Sequence, residues 1–205
     1  MNIYILGTSG TAHEIGYYAK RNNHTILGYV SKELEKEIYY EHIPIYTEEE
    51  IFFVPSYITY NLALGIGMNS KRREEVYLKY PNHNYPNIVD PTAVILSKKL
   101  GGNMGNIIST LCYIQPDVEM GNFNYIQVGT GIGHNTKIGN FLSTGMGTQI
   151  GGNCIIGDRI YIGSLAFIKH ELKICNDVII GAGAIVVKDI TEPGTYVGNP
   201  LRRIK

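Results

Sequence analysis

A reading frame of six runs without a gap from Met120 to Ile180, and it restricts the possible folds more than any other feature. Its positions are Met120, Ile126, Ile132, Ile138, Thr144, Ile150, Ile156, Ile162, Ile168, Ile174 and Ile180. Ten of these eleven are apolar in a chain that is 44% apolar overall, so composition alone does not explain the frame. Glycine follows eight of them: Gly121, Gly133, Gly139, Gly145, Gly151, Gly157, Gly163 and Gly181. Small residues (Thr130, Thr136, Thr148, Cys154, Ala166, Ala184) often stand two places ahead of the frame position. Ile108 and Ile114 hold the same frame upstream, and Val94-Ile95 begins it less regularly. A period of six fits neither the 3.6 of a helix nor simple alternation. It marks a stacked repeat in which each hexad is a short strand plus a corner and three hexads close one triangular coil. Each inward Ile then packs on the next coil, about 4.8 Å away. Glycine and asparagine are expected at the corners, where positive φ is needed.

The first 80 residues have a different character. Ile3 to Leu6 reads as a short buried strand entering Gly7-Thr8-Ser9-Gly10-Thr11-Ala12. A helix to about Arg21 follows, with Ala12, Ile15 and Ala19 on one face. Ile26 to Val30 is a second strand. Ile58, Tyr60, Leu62 and Leu64 alternate like a third, which ends at Gly65-Ile66-Gly67. Asn69 or Ser70 caps a last helix running to Tyr80. The expected organisation is a small Rossmann-like α/β domain (1–80), a linker (81–91), a β-helix (92–187) and a C-terminal tail (188–205). A glycine loop between strand and helix gathers backbone N–H groups at the positive helix end, which suits phosphate. Ala12 stands where a dinucleotide fingerprint has its third glycine, and Ser31-Lys32 stands where the ribose-binding acid belongs, so NAD is not expected. A phosphate-bearing nucleotide, most simply a nucleotide sugar, is the favoured ligand; the competing account is a βα turn whose glycines serve packing alone. Lys71, Arg72 and Arg73 could add positive charge to such a site, although a solvated helix face is the simpler account.

Lys and Arg number 18, and so do Asp and Glu, which gives no electrostatic pull toward nucleic acid or anionic membrane. No apolar run is long enough to span a bilayer. The start lacks the basic region and cleavage site of a secretory signal, so a cytoplasmic location is expected. Cys112, Cys154 and Cys175 form no CxxC pair and read as free thiols rather than metal ligands or a disulfide frame.

Acyl transfer from a thioester needs a base for the acceptor, a donor for the oxyanion and an acid for the leaving thiolate. Of six histidines only His134 and His170 lie in the repeat. They are two coils apart on one edge, by spacing about 10 Å from each other. One coil after His134 comes Gly152, whose bare amide can approach a thioester oxygen. One coil before Asn135 comes Asp117, a candidate to orient the imidazole. Spacing alone leaves an inert exposed histidine as the commoner outcome. His170, beside Glu171, reads as a corner or cofactor-groove residue. A β-helix zinc hydratase would need three converging histidines, and the repeat offers two.

Beyond the hexads, Gly7-Thr8-Ser9-Gly10, Ala63-Leu64-Gly65-Ile66-Gly67, Pro86-Asn87-Ile88-Val89-Asp90-Pro91, Gly181-Ala182-Gly183-Ala184 and Val197-Gly198-Asn199-Pro200 span nearly the whole chain. In these segments it resembles sugar O-/N-acetyltransferases of the sialic acid O-acetyltransferase type, which include enzymes acting on nucleotide-linked 4-amino-sugars. The resemblance implies a left-handed parallel β-helix, an exception to the usual right-handed crossover. It also implies a homotrimer with acetyl-CoA between neighbouring prisms. His134 would be the base and the Gly152 amide the partner of the acetyl carbonyl. Cofactor contacts would fall on Ser143, Gly152, Ser164 and Ala182, and substrate contacts on Ser9, Gly10, Thr11, Gly65 and Ile66. No metal is implied. Two positions depart from the pattern. Asn135 replaces the acid that follows the catalytic histidine, so either Asp117 substitutes for it or the base is weaker. Ser31-Lys32 replaces the acidic pair that grips the ribose, which speaks against a uridine nucleotide and leaves a thymidine-linked sugar or a sugar without a nucleotide open. The expected activity is acetyl transfer to a sugar amine or hydroxyl; the alternative is a catalytically silent nucleotide-sugar binder of the same fold.

Overall fold

The frame of six becomes a parallel β-helix of three faces. The structure, a computed structural model, describes residues 1–32, 39–52, 59–100 and 104–205. Every hexad from Ile107 to Val186 contributes a two- or three-residue strand whose second or last residue points inward, and over this range strand partners on one face are 18 residues apart. Face one stacks Ile88–Val89, Ile107–Ile108, Tyr125–Ile126, Ser143–Thr144, Tyr161–Ile162 and Val178–Ile180, and continues into Gly194–Val197 and Arg202–Arg203. Face two stacks Val94–Ile95, Tyr113–Ile114, Gly131–Ile132, Gln149–Ile150, Phe167–Ile168 and Ile185–Val186. Face three stacks Glu119–Met120, Lys137–Ile138, Ile155–Ile156 and Lys173–Ile174.

The inward column forms one core with Ile114, Ile126, Ile132, Ile162, Ile168 and Ile180 all at most 1% exposed. Each such side chain contributes about 1.5–3 kcal/mol by leaving water. Thr144, the one polar frame residue, keeps its hydroxyl satisfied inside: its Oγ1 lies 2.9 Å from Thr130 Oγ1 and accepts from the Gln127 amide at 2.9 Å.

The corners overturn one expectation. Positive φ recurs at every sixth residue from Gly105 to Gly183, but only four of these positions are glycine and two asparagine; the rest include Leu111, Phe123, Phe141, Arg159 and Leu165. The glycines that follow the frame residues serve close approach between coils instead. A Cβ on Gly133 would sit 2.3 Å from the Gly152 nitrogen, and one on Gly145 would sit 2.3 Å from the Ser164 nitrogen.

Residues ahead of the prism form a five-stranded sheet in the order Tyr39–Tyr40, Ile43–Thr47, Thr25–Ser31, Asn2–Leu6, Asn61–Leu64. Its elements are β1 (Asn2–Leu6), α1 (Gly10–Arg21), β2 (Thr25–Ser31), β3 (Tyr39–Tyr40), β4 (Ile43–Thr47), α2 (Glu48–Phe52), β5 (Asn61–Leu64) and α3 (Ser70–Lys79). All neighbours are parallel except β3 and β4. The strand expected to alternate is buried at three successive residues, Leu62, Ala63 and Leu64, because both of its faces are covered; Ile58 lies outside the described residues. Asn69 caps α3 by accepting from the Arg72 amide at 3.0 Å.

The α/β unit sits on the outer side of face one. Ile107 and Tyr125 pack with Ile3, Ile15 and Ala19, while Phe123 and Phe141 pack with Leu64 and Val76. Polar ties fix the contact: Tyr125 donates to Glu14 at 2.7 Å, and Arg21 meets the fully buried Asp90 at 2.9 Å. The stretch 81–91, expected as a linker, already contains the first strand of face one, and the expected tail after 188 supplies its last two. Among the described residues no helix is long and apolar enough to cross a membrane.

Candidate active site

His134 lies on the edge between face two and face three, just after Gly131–Ile132 and before Lys137–Ile138. The positive φ of Asn135, +60°, turns the chain there. Two neighbours orient the histidine. Its backbone N–H donates to Gln115 Oε1 at 3.0 Å, and its Nδ1 stands 2.8 Å from Asn135 Oδ1. An amide oxygen only accepts, so this contact places the ring proton on Nδ1 and leaves the Nε2 lone pair free.

That lone pair is beside Gly152. A Cβ built on Gly152 would be 3.0 Å from His134 Nε2, so a methyl group there would crowd the ring. Gly152 has no positive φ, so the absence of a side chain matters for approach rather than for backbone conformation. Its carbonyl accepts from Glu171 at 2.9 Å, while its N–H has no acceptor among the described residues. Base and free amide are thus side by side, one coil apart. Asp117 takes no part in this: its carboxylate pairs with Lys99 at 3.4 Å, and the orienting group is Asn135. His170 is exposed on the same edge with Glu171 3.4 Å away. Among the described residues no three His, Cys, Asp or Glu side chains converge as a metal set, and all three cysteines are free, Cys175 being only half-buried.

The expected cofactor residues separate into two groups. Ser164 and Ala182 stack on the edge between faces one and two, half-exposed and exposed respectively. Ser143 does not reach solvent. It is 0% exposed, donates to the Gly67 carbonyl at 3.2 Å and accepts from Arg73 at 2.8 Å, because the α/β unit covers this part of face one.

The loops after β1 and β5 meet at the sheet edge. Gly7, with φ +126°, and Gly65 are both needed for this: a Cβ on the first would sit 2.9 Å from the Gly65 oxygen, and one on the second 2.6 Å from Ala12 Cβ. Packing therefore accounts for these two glycines. Ser9 and Gly10 remain exposed at the start of α1, and Ser9 Oγ contacts the Gly65 oxygen at 3.4 Å rather than capping the helix. Beside them a cavity of about 200 Å³ is lined by Gly7, Thr8, Ser31, Lys32, Ile66 and Arg72, together with Glu48. Burial works against the Glu48 carboxylate, but Lys79 and the Tyr80 hydroxyl (2.8 Å) outweigh it and hold its pKa below the ordinary value. No sequence signal marks Glu48, which sits in the acidic run 48–50 and reads as solvated.

Arg73 was also hidden. It is 2% exposed, not part of a solvated face, and burial pushes its pKa down to about 9.

No family model matches the chain. Solved structures do. It superposes on a histidine mutant of perosamine N-acetyltransferase from Caulobacter crescentus, crystallised with CoA and GDP-perosamine, with a TM-score of 0.91 and 19% identity over 100% of this chain and 97% of that one. The acetyltransferase domain of PglB from Neisseria gonorrhoeae gives 0.88 and 17%, covering 99% of each chain. WeeI from Acinetobacter baumannii gives 0.79 and 19%, covering 100% of each. A small α/β unit joined to a hexapeptide-repeat, left-handed β-helix is thus the architecture this chain shares with sugar acetyltransferases.

Proposed function

We propose that the protein is an acetyl-CoA-dependent acetyltransferase acting on an amino or hydroxyl group of a sugar, most simply a nucleotide-linked amino sugar destined for a surface glycan. The observation that carries this reading is that His134 Nε2 stands beside Gly152, whose N–H has no acceptor among the described residues. In the reaction, Nε2 removes the proton of the acceptor as its nitrogen or oxygen attacks the thioester carbonyl carbon. The Gly152 N–H donates to the developing oxyanion. The C–S bond then breaks, and the imidazolium returns the proton to the CoA thiolate. Asn135 holds the ring in the tautomer that this requires.

The position of His134 makes a second copy part of the reading. The α/β unit covers face one, whereas His134 lies on the opposite edge, between faces two and three. An acceptor held by Ser9, Gly10, Thr11, Gly65 and Ile66 is therefore out of reach of the histidine in its own chain. Face two is apolar for its place on a surface: Val94, Tyr113 and Phe167 are 43–48% exposed, flanked by Leu111, Met146 and Leu165 at 57–75%. A homotrimer packed through this face would bury these groups and bring His134 and Gly152 of one prism against Ser164 and Ala182 of the next, with acetyl-CoA between them.

A silent nucleotide-sugar binder is favoured only by Asn135 in place of an acid. Labelled acetyl-CoA incubated with UDP-, dTDP- and GDP-linked amino sugars, followed by thiol release and mass spectrometry, separates the two. Acetylated sugar with stoichiometric free CoA supports the enzyme, and binding without thiol release refutes it.

A further inference from the structure

Arg73 makes six side-chain hydrogen bonds to other described residues and has no role in the chemistry above. Its Nε donates to the Phe123 carbonyl at 3.2 Å. One terminal nitrogen reaches the Phe141 and Leu142 carbonyls at 3.0 and 2.9 Å. The other reaches Ser143 Oγ at 2.8 Å, the Ile66 carbonyl at 3.3 Å and the Gly67 carbonyl. A guanidinium has five N–H donors, so six oxygens leave none spare for an anion. No carboxylate is among these partners; only carbonyl and hydroxyl dipoles face the charge.

A cation 2% exposed with no counter-ion among the described residues is a costly way to fill space, and an apolar side chain would pack the same volume more cheaply. Its partners indicate what the cost secures. Ile66 and Gly67 belong to the loop after β5. Phe123, Phe141, Leu142 and Ser143 belong to two successive coils of the β-helix, and the rings of Phe123 and Phe141 stack at 5.2 Å. Ser143 closes the figure by donating to Gly67 at 3.2 Å. The loop 65–67 is thereby tied to the prism directly, not only through the sheet from which it emerges.

We propose that Arg73, with Ser143 as its relay, is a positioning residue that sets the register of the acceptor loop 65–67 against the β-helix. The proposal rests on the reading that this loop holds the acceptor. It also gives Ser143 a role other than the expected cofactor contact.

Two variants of the full-length protein test it, Arg73→Lys and the milder Ser143→Ala, by hydrogen exchange and by steady-state kinetics. The peptide covering 63–70 should exchange about tenfold faster in Arg73→Lys and about threefold faster in Ser143→Ala, with peptides covering 149–156 unchanged. The acceptor is the nucleotide-linked amino sugar of the above panel that the wild type acetylates fastest. Its KM should rise about tenfold while the KM for acetyl-CoA stays constant. Wild-type exchange of 63–70 in both variants overturns the proposal, as does a rise in the acetyl-CoA KM of Ser143→Ala with the acceptor KM unmoved. Should Arg73→Lys fail to fold, Ser143→Ala decides alone. A wild type that acetylates no sugar refutes the proposed function instead, and the exchange data still decide on Arg73.

Discussion

Between Ile107 and Val186 a β-helix residue meets its neighbours 18 positions away on each face, Tyr113 against Gly131 and Tyr161 against Ile179, and only the first and last coils depart from this, at 19 and 16. In the α/β unit Gly7 meets Gly65, and Arg73 reaches Ser143, across separations that follow no rule. Where the contact distance along the chain is constant, one repeated residue type can satisfy one repeated environment, and a substitution has a predictable neighbour. Where it is irregular, each contact needs its own pair of residues, and a functional side chain can be hidden in a segment that reads as ordinary surface.

The sharpest way to break the comparison is to put a charge into the ladder. Ile156→Asp buries an unpaired carboxylate among the inward residues and should cost at least 4 kcal/mol, on the order of the whole margin of a domain. The same change at Ile155, 47% exposed and pointing out of the same strand, should stay within about 0.5 kcal/mol. Thermal melts of the two variants check this, and equal losses would contradict the inward–outward assignment.

Next comes the edge itself. His134→Ala should lower turnover by about 10²–10⁴ and leave the proposed homotrimer intact, whereas His170→Ala should change turnover by less than about threefold. Rates measured with the true acceptor, alongside sedimentation, test both; a His134→Ala enzyme of near-normal speed refutes the assignment of the base. Gly152→Ala should cost about 10–100-fold in kcat, because its methyl group meets His134 Nε2 and displaces the ring from the free amide. A crystal structure of that variant with an unmoved imidazole would count against the close-approach account.

A smaller effect compares a tie between the two regions with one along the prism. Arg21→Ala leaves Asp90 buried without its cation and should destabilise by about 2–3 kcal/mol in denaturant titrations. The Arg159–Asp177 pair is partly solvated, and Arg159 holds the Asp177 carboxyl below its ordinary pKa. Its contribution is therefore full above about pH 4, is lost as the pH falls through the lowered pKa, and should amount to no more than about 1 kcal/mol. Asp177→Asn should flatten the acid side of the stability curve by that amount.

Much of the prism was legible because its physics is periodic. The frame from Met120 to Ile180 names the inward residues one by one, and a coil of 18 residues sets His134 beside Gly152. The corner conformations were not legible: Leu111, Phe141 and Arg159 adopt positive φ because the flanking ladders impose it, against their own preference. The loops after β1 and β5 were recognisable by their glycines, but not that those glycines meet each other. Nothing in the acidic run 48–50 pointed Glu48 at the cavity beside Ser31 and Lys32.

The sequence by itself determined the repeat, the coil length and the edge that carries His134, since all three follow from the regular spacing of apolar and small residues. Only the tertiary structure decided that Asn135 rather than Asp117 orients the imidazole, that Ser143 is sealed beneath the α/β unit, and that Arg73 is a buried clamp. The physical reason is the same in each case: side-chain direction and burial depend on what the other region places opposite, and that partner lies at no fixed distance along the chain.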